Sequence, residues 1–467
     1  MGFSSITFLF LFLPLALLLY FLSPRGAKNL VLLALSLAFY LWGEPILILY
    51  LIGSILLNYG AALGISSGQN RNLPRLSKAF LSGGITLQLG GLVYYKYMGF
   101  ILENLPPIPV DFLKTPQEII MPIGISFFTF QGISYLVDVY RRETSASGNI
   151  INVALYIALF PQLVAGPIVR YKDIASQIHA RLHTLSSFSK GMERFVFGLG
   201  KKVIIANELG RIVDTIFELA PDHTTLGLAW LGIASYTLQI YFDFSGYTDM
   251  AIGLGLMFGL TFPENFNFPY ISRSLTEFWR RWHMSLSSWF RDYVYIQLGG
   301  NRGGYAQTLL NISCVFLLTG VWHGASWNFI LWGVAHGFFV ICEKVSPLKG
   351  QRIPAPFKHL YCLTVITFTW VLFRAKTSEA AWHYMKCLLG LQEIQGTPYG
   401  IGFYIDGYFL TVATIAVLLS TPILKAPLIR QCAQNSFLRG TLVILVLIYS
   451  AALLGSDTHN PFIYFRF

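Results

Sequence analysis

Leu318-Thr-Gly-Val-Trp-His-Gly-Ala-Ser-Trp327 is the stretch that decides how this chain is read. Apolar residues 312–318 lead into it, and a second apolar run, 329–342, follows. An ionisable side chain in such a place is expensive in a bilayer, which makes His323 a functional-site candidate. Trp322 and Trp327 beside it supply rigid walls, and Gly324 lets backbones come close.

The rest of the chain has the matching character. Of its 467 residues, 54% are hydrophobic and only 12% are charged, with mean hydropathy +0.57. Soluble proteins carry about 25% charged residues, so an all-α, polytopic membrane protein is expected. The apolar N-terminal stretch 3–22 has no basic residue before it and no small-x-small cleavage site after it, and reads as a first spanning helix. The formal charge of +11 does not point to nucleic acid, because Lys and Arg sit where cytoplasmic loops need them. They cluster at Arg25/Lys28, Arg71/Arg75/Lys78, Arg141/Arg142, 170–202, 273–302 and 344–358. The five cysteines lack redox or metal spacing and read as free thiols.

Spans of about 20 apolar residues are expected at 4–22, 29–42, 46–65, 79–99, 119–138, 150–168, 226–244, 246–261, 307–322, 326–343, 359–374, 403–424 and 438–455. Gly and Pro break two of them, 150–168 (Pro161, Gly166, Pro167) and 246–261 (Gly253, Gly255, Gly259). Broken backbone at membrane depth survives only where protein or a watery cavity covers it, so re-entrant pieces and a polar interior are expected, with roughly 11 to 13 elements. The charges place both termini outside the cell, although Arg374 and Lys376 fit that topology poorly. One membrane domain then covers 1–467: N-terminal spans over 1–150, a core over 155–345, further spans over 350–455 and an outer tail over 456–467.

Two basic amphipathic regions interrupt the spans, 170–202 and 263–304. In the second, Ser274 and Glu277 have capping-box spacing, which predicts a helix over 274–293. Phe278, Trp282, Trp289 and Tyr293 then share a face, away from Arg280, Arg281 and Arg291. Such a helix either anchors at the interface or lines a cavity for an anionic ligand.

Six of the nine histidines lie in loops or near span ends. His323, His283 and His336 remain. Nearby Arg280 and Arg281 favour a neutral His283. His336 is 13 residues beyond His323, which on one continuous helix would place it on the far side. That spacing could suggest stacked haems, but no second helix carries a matching pair. No His/Asp/Glu cluster has metal-ligand spacing, so neither metal nor bound cofactor is expected. Nucleophile-elbow and phosphate-loop motifs are absent. A neutral buried imidazole suits general-base work on a group that arrives already activated on a carrier. In Tyr241-Phe-Asp-Phe-Ser-Gly-Tyr-Thr-Asp249, the buried carboxylates of Asp243 and Asp249 must be paired or neutral, and capping of a broken span is one use for them. Phe160-Pro-Gln-Leu-Val-Ala-Gly-Pro-Ile-Val-Arg-Tyr171 ends on Arg170. The aromatic tail Asn460-Pro-Phe-Ile-Tyr-Phe-Arg-Phe467 is either an interfacial belt or a functional site at Tyr464.

Together these segments resemble the bacterial membrane-bound O-acyltransferase family, in the branch of the alginate O-acetylation membrane subunit. The motifs that carry the likeness are the Phe160 and Tyr241 segments quoted above, residues 278–292 and residues 321–328, so it covers about 155–345. D-alanyl-teichoic-acid acyltransferases are similar too, but there the Gly-Pro-Ile is followed by Asp-Arg, where this chain has Val169-Arg170. The resemblance implies a ring of helices around a funnel open to the cytoplasm. It also implies a catalytic role for His323 and a second functional histidine at His283. The tail is similar to the C-terminal motif of a small helper subunit of D-alanylation systems, in which the tyrosine matching Tyr464 is a proposed acyl relay.

The expected function is therefore a bacterial inner-membrane O-acyltransferase. An acyl thioester, acetyl-CoA first, docks inside the cell with Arg280, Arg281 and Arg291 on its phosphates. His323 serves as base or orienter, while Trp322, Arg170, Asp243 and Asp249 shape the pathway. The acyl group passes to Tyr464 or to an extracytoplasmic Ser-hydrolase-like partner, and so to a polysaccharide. Competing readings are a transporter, against which no inverted repeat is visible, a non-catalytic scaffold, and D-alanyl transfer to teichoic acid.

Overall fold

A computed structural model describes residues 2–105, 119–346, 353–394, 396, 399–425, 435–456 and 463. These residues are mostly helical with no strand, and six helices among them are long and apolar enough to cross a membrane. The all-α polytopic expectation holds: this is a multi-pass membrane protein. The chain divides into two compact units, one of residues 1–195 and 248–263, the other of residues 196–247 and 264–467.

In the first unit, buried Phe3, Phe8, Phe39 and Phe160 pack ring on ring, with centroids 5.0 to 6.4 Å apart. The break expected within 150–168 is present. Helix Ile150–Ala158 gives way to the single turn Phe160–Leu163, and extended backbone follows to Arg170. Pro161 opens that turn, and a side chain on Gly166 would collide with Gln162. Freed backbone groups find side-chain partners: Ser36 Oγ accepts from Phe160 N–H at 3.2 Å, and Gln162 Nε2 donates to the Tyr156 carbonyl at 2.6 Å. Irregular backbone is tolerated here because the surrounding protein satisfies it.

The two spans expected at 226–244 and 246–261 are instead one 32-residue helix, Leu226–Met257. The glycines do not break it; they admit neighbours. A Cβ on Gly253 would lie 2.6 Å from the Gly191 carbonyl oxygen in the first unit, and one on Gly246 would lie 2.8 Å from that of Gly198 in the second. Each glycine costs the helix about 1 kcal/mol relative to alanine, which close packing offsets. The helix stops only at Gly259, where φ is +77°. The basic region 170–202 contributes helix Tyr171–His179 and then Leu185–Gly200, which runs on through a π-turn at Lys201–Ala206 into Asn207–Phe217.

Asp243 and Asp249 thus cap nothing. Both sit inside a continuous helix and are paired. In the second unit, Lys202 Nζ reaches Asp243 at 2.6 Å, with both side chains at most 3% exposed. The other Asp243 oxygen accepts from the backbone N–H of Ile463 at 2.8 Å. In the first unit, the Arg194 guanidinium holds Asp249 Oδ1 at 2.8 and 3.0 Å, in a half-buried setting.

Candidate active site

Everything in this site belongs to the second unit. Helices Gly304–His323 and Trp327–Val345 form a tight hairpin, crossing where a Cβ on Gly320 would strike the Phe329 carbonyl and one on Gly333 that of Phe316. His323 is the last residue of its helix, at the turn between two spans rather than in the middle of one. Gly324 is required next, since any Cβ there would meet the Phe329 ring at 2.3 Å.

His323 is 3% exposed. Trp322 and Trp332 stand edge-on to it with centroids 4.9 Å away, and Phe373 at 5.2 Å. These rings exclude water, and an aromatic face also accommodates the positive charge an imidazole gains on taking a proton.

The hairpin brings His336 to the same cage. Trp332 contacts both His323 and His336, the latter at 4.8 Å, and Trp279 Nε1 donates to His336 Nδ1 at 3.3 Å. The far-side placement assumed one continuous helix; the chain reverses at Gly324, so both imidazoles meet one indole.

His283 arrives from a different element. The helix expected over 274–293 starts as its cap predicts, with Ser274 Oγ accepting from Glu277 N–H at 3.0 Å. It then breaks. Leu275–Trp279 ends, His283 adopts a left-handed φ of 43°, and Met284–Phe290 follows. Such a backbone costs a non-glycine residue about 1–2 kcal/mol, and here Asn265 compensates. Its Oδ1 accepts from Ser285 N–H at 3.1 Å and Ser285 Oγ at 2.9 Å, while its carbonyl accepts from Met284 N–H. The same Oδ1 lies 3.1 Å from His283 Nδ1. Because the backbone N–H of Ser285 can only donate, that Asn265 atom is the oxygen, and Nδ1 is the protonated nitrogen of His283. The lone pair therefore sits on Nε2. Full burial pushes this imidazole down to about 3, so it is neutral at physiological pH. Trp322 lies between the two histidines, 6.0 Å from His283.

One helical turn before His323, Thr319 borders a cavity of about 710 Å³. Its walls include Trp279, Met284 and Phe316, and Arg280 and Arg291 stand on it. A second cavity of about 860 Å³ shares Thr276, Arg280, Ile312 and Val340 with the first. Arg273, Arg280, Lys344 and Lys358 line it, with one carboxylate, Glu343. That carboxylate is taken: it accepts from the N–H groups of Leu275 and Thr276 and from the Thr276 hydroxyl. The first cavity is lined mainly by apolar side chains and the second carries more cations, a pairing that suits an anion on a long neutral arm.

The three arginines separate. Arg280 lines both cavities. Arg291 lines the first and pairs with Asp292. Arg281 is tied to Glu277 at 2.9 Å and to the Asn267 carbonyl at 3.0 Å. Asp243 with Lys202 and Trp322 belong to this unit, whereas Arg170, which precedes helix Tyr171–His179, and Asp249 belong to the other. Tyr464 lies outside the described residues; its neighbour Ile463 is held by Asp243. Sequence reasoning missed Asn265, Arg273, Lys344 and Lys358 as site residues, although the last three fall in basic clusters it had assigned to loops.

The family model described as MBOAT, membrane-bound O-acyltransferase, matches residues 125–377. The chain is 40% identical to the "Probable alginate O-acetylase AlgI" of Azotobacter vinelandii over the full length of both. It is 35% identical to the "Peptidoglycan O-acetyltransferase" of Helicobacter pylori, across 84% of this chain and 80% of that one. It is 28% identical to the "Teichoic acid D-alanyltransferase" of Bacillus subtilis, across 74% of this chain and 87% of the relative.

Proposed function

This chain belongs to the membrane-bound O-acyltransferase family and is an O-acyltransferase, and on that premise we propose that it moves acetyl groups from a cytoplasmic thioester onto a cell-envelope or exported polysaccharide. The observation that carries the reading is His323, walled by Trp322, Trp332 and Phe373 one turn beyond Thr319, which borders a cavity that Arg280 and Arg291 also line. The acetylating relatives favour acetyl over D-alanyl.

In this reading, acetyl-CoA places its phosphates among Arg273, Arg280 and Lys358 and threads its thioester past Met284 and Ser287 toward Thr319. A hydroxyl oxygen attacks the thioester carbonyl carbon, its proton passing to His323. The new C–O bond forms, the C–S bond breaks, and the departing thiolate takes the proton from the imidazolium. Neutral His283, its lone pair on Nε2, orients the accepting hydroxyl. Only the small neutral acyl group crosses, which spares the membrane the cost of CoA's charges. The acceptor is Tyr464 or a hydroxyl on an extracytoplasmic Ser-hydrolase-like partner, which completes transfer to the polymer. The protein would sit in the bacterial inner membrane with both termini outside.

Purified protein should hydrolyse acetyl-CoA slowly, and His323→Ala should lose this while still binding the donor. A variant that keeps hydrolysis removes His323 from the chemistry. Facilitated movement of a solute without acyl transfer would favour the transporter class.

A further inference from the structure

In the first unit, far along the chain from the histidine hairpin, cationic groups converge on one tyrosine. Tyr20 is fully buried near the end of helix Leu13–Leu22. Its hydroxyl donates to the Phe258 carbonyl at 3.0 Å. With its one proton so used, the oxygen accepts from Arg181 Nη1 at 2.9 Å and from His183 Nε2 at 2.9 Å. Lys28 Nζ donates to the Tyr20 carbonyl at 3.0 Å and lies over the Tyr20 and Phe21 rings at 4.4 and 5.2 Å. Arg181 Nη2 is tied to Asn29, while its Nε is buried with no hydrogen-bond partner.

Among the described residues, no carboxylate forms a salt bridge with Lys28, Arg181 or His183. Like charges held this close repel unless an anion joins them. The inside bias of basic residues accounts for positive charge in a loop, but not for Lys28 and Arg181 fixed with a histidine on one tyrosine. Beside His183 lies a cavity of about 240 Å³, lined also by Thr184 and by apolar Phe21, Phe188 and Leu256. Helix Leu185–Gly200 begins at this cavity, adding the positive end of its dipole.

We infer that Lys28, Arg181 and His183 form a phosphate-binding site, occupied by the headgroup of an anionic phospholipid whose apolar part lies along Phe21 and Phe188. The site needs nothing from the acyl-transfer reading. Phosphate supplies the missing anion and acceptors for Lys28 Nζ and Arg181 Nε. The aromatic end of a first span is where lipid headgroups sit. Burial and the neighbouring Lys28 and Arg181 hold His183 below the ordinary histidine range, a bias that a bound anion would reverse.

The test uses full-length protein stripped of lipid in neutral detergent. Thermal unfolding is followed with added phosphatidylglycerol, phosphatidylcholine or inorganic phosphate, for wild type and Lys28→Gln/Arg181→Gln. Phosphatidylglycerol should raise the wild-type midpoint by a few degrees, with at least tenfold weaker apparent affinity in the variant and little effect of phosphatidylcholine. Stabilisation by inorganic phosphate alone would keep the site but assign it a soluble source. Equal stabilisation of wild type and variant, or none of either, overturns it. Should the double variant not fold, native mass spectrometry of wild type against His183→Ala decides: one retained phosphatidylglycerol, lost in the variant, supports the site, and no retained lipid in either refutes it.

Discussion

The hairpin Gly304–His323/Trp327–Val345 and the long helix Leu226–Met257 both bury polar side chains, and they do so in opposite ways. The long helix neutralises its carboxylates with cations, Asp243 by Lys202 and Asp249 by Arg194. The hairpin surrounds His323 with aromatic rings instead. A buried charge that is matched serves mainly to hold helices in place, since removing its partner leaves an ion in a dry interior. A buried imidazole can stay neutral without any counter-ion and still exchange a proton. The first arrangement is suited to architecture and the second to chemistry.

The sharpest way to break that contrast is His323→Ala. Acyl transfer should fall by about 10²–10⁴-fold, the usual worth of a general base, while detergent-solubilised protein keeps its wild-type unfolding midpoint. Retained acyl transfer would make the cage as structural as the ion pairs. Asp243→Ala should show the reverse pattern, losing about 3–5 kcal/mol of stability because Lys202 stays buried without its carboxylate. Replacing both, as Lys202→Met/Asp243→Leu, should recover much of that loss. Denaturant titration of the two variants measures the difference, and equal destabilisation would deny that the pairing matters.

Arg280→Gln should raise the KM for acetyl-CoA about tenfold with kcat nearly intact, the sign of lost ground-state binding. Arg281→Gln, whose target is Glu277, should leave that KM within about twofold. Steady-state kinetics on the purified pair tells the two apart; equal effects would mean the basic side chains act only as a diffuse field. The smallest change is expected for Asp249→Asn. Its pair with Arg194 is partly solvated, so about 1 kcal/mol is at stake, against the larger cost at Asp243.

Much of this was legible in the sequence because hydropathy and punctuation have few meanings. Pro161 within an apolar run marks a break, and the spacing of Ser274 and Glu277 marks a helix start. Glycine in an apolar run is ambiguous, since it either ends a helix or lets one approach. Nothing local to Gly246 or Gly253 says that Gly198 and Gly191 are the neighbours awaiting them. The 13-residue spacing puts His336 on the far side only if the helix continues through Gly324, and it ends at His323. Arg281 was separable in advance: Glu277 sits four residues before it, the spacing at which helical side chains meet. The left-handed backbone of His283 had no local signal, for its support comes from Asn265, eighteen residues earlier.

The turn at Gly324 has a consequence for the order of assembly. Trp322, His323 and Trp332 lie within eleven residues of one another, so most of the cage is a product of short-range contacts, which form early and fast. Phe373 comes from a later helix, Ala355–Arg374, and closes the cage only after that segment docks. During synthesis the His323 imidazole is therefore shaped first and sealed last. A nascent chain halted before Phe373 would carry His323 already between its two indoles with one wall still open.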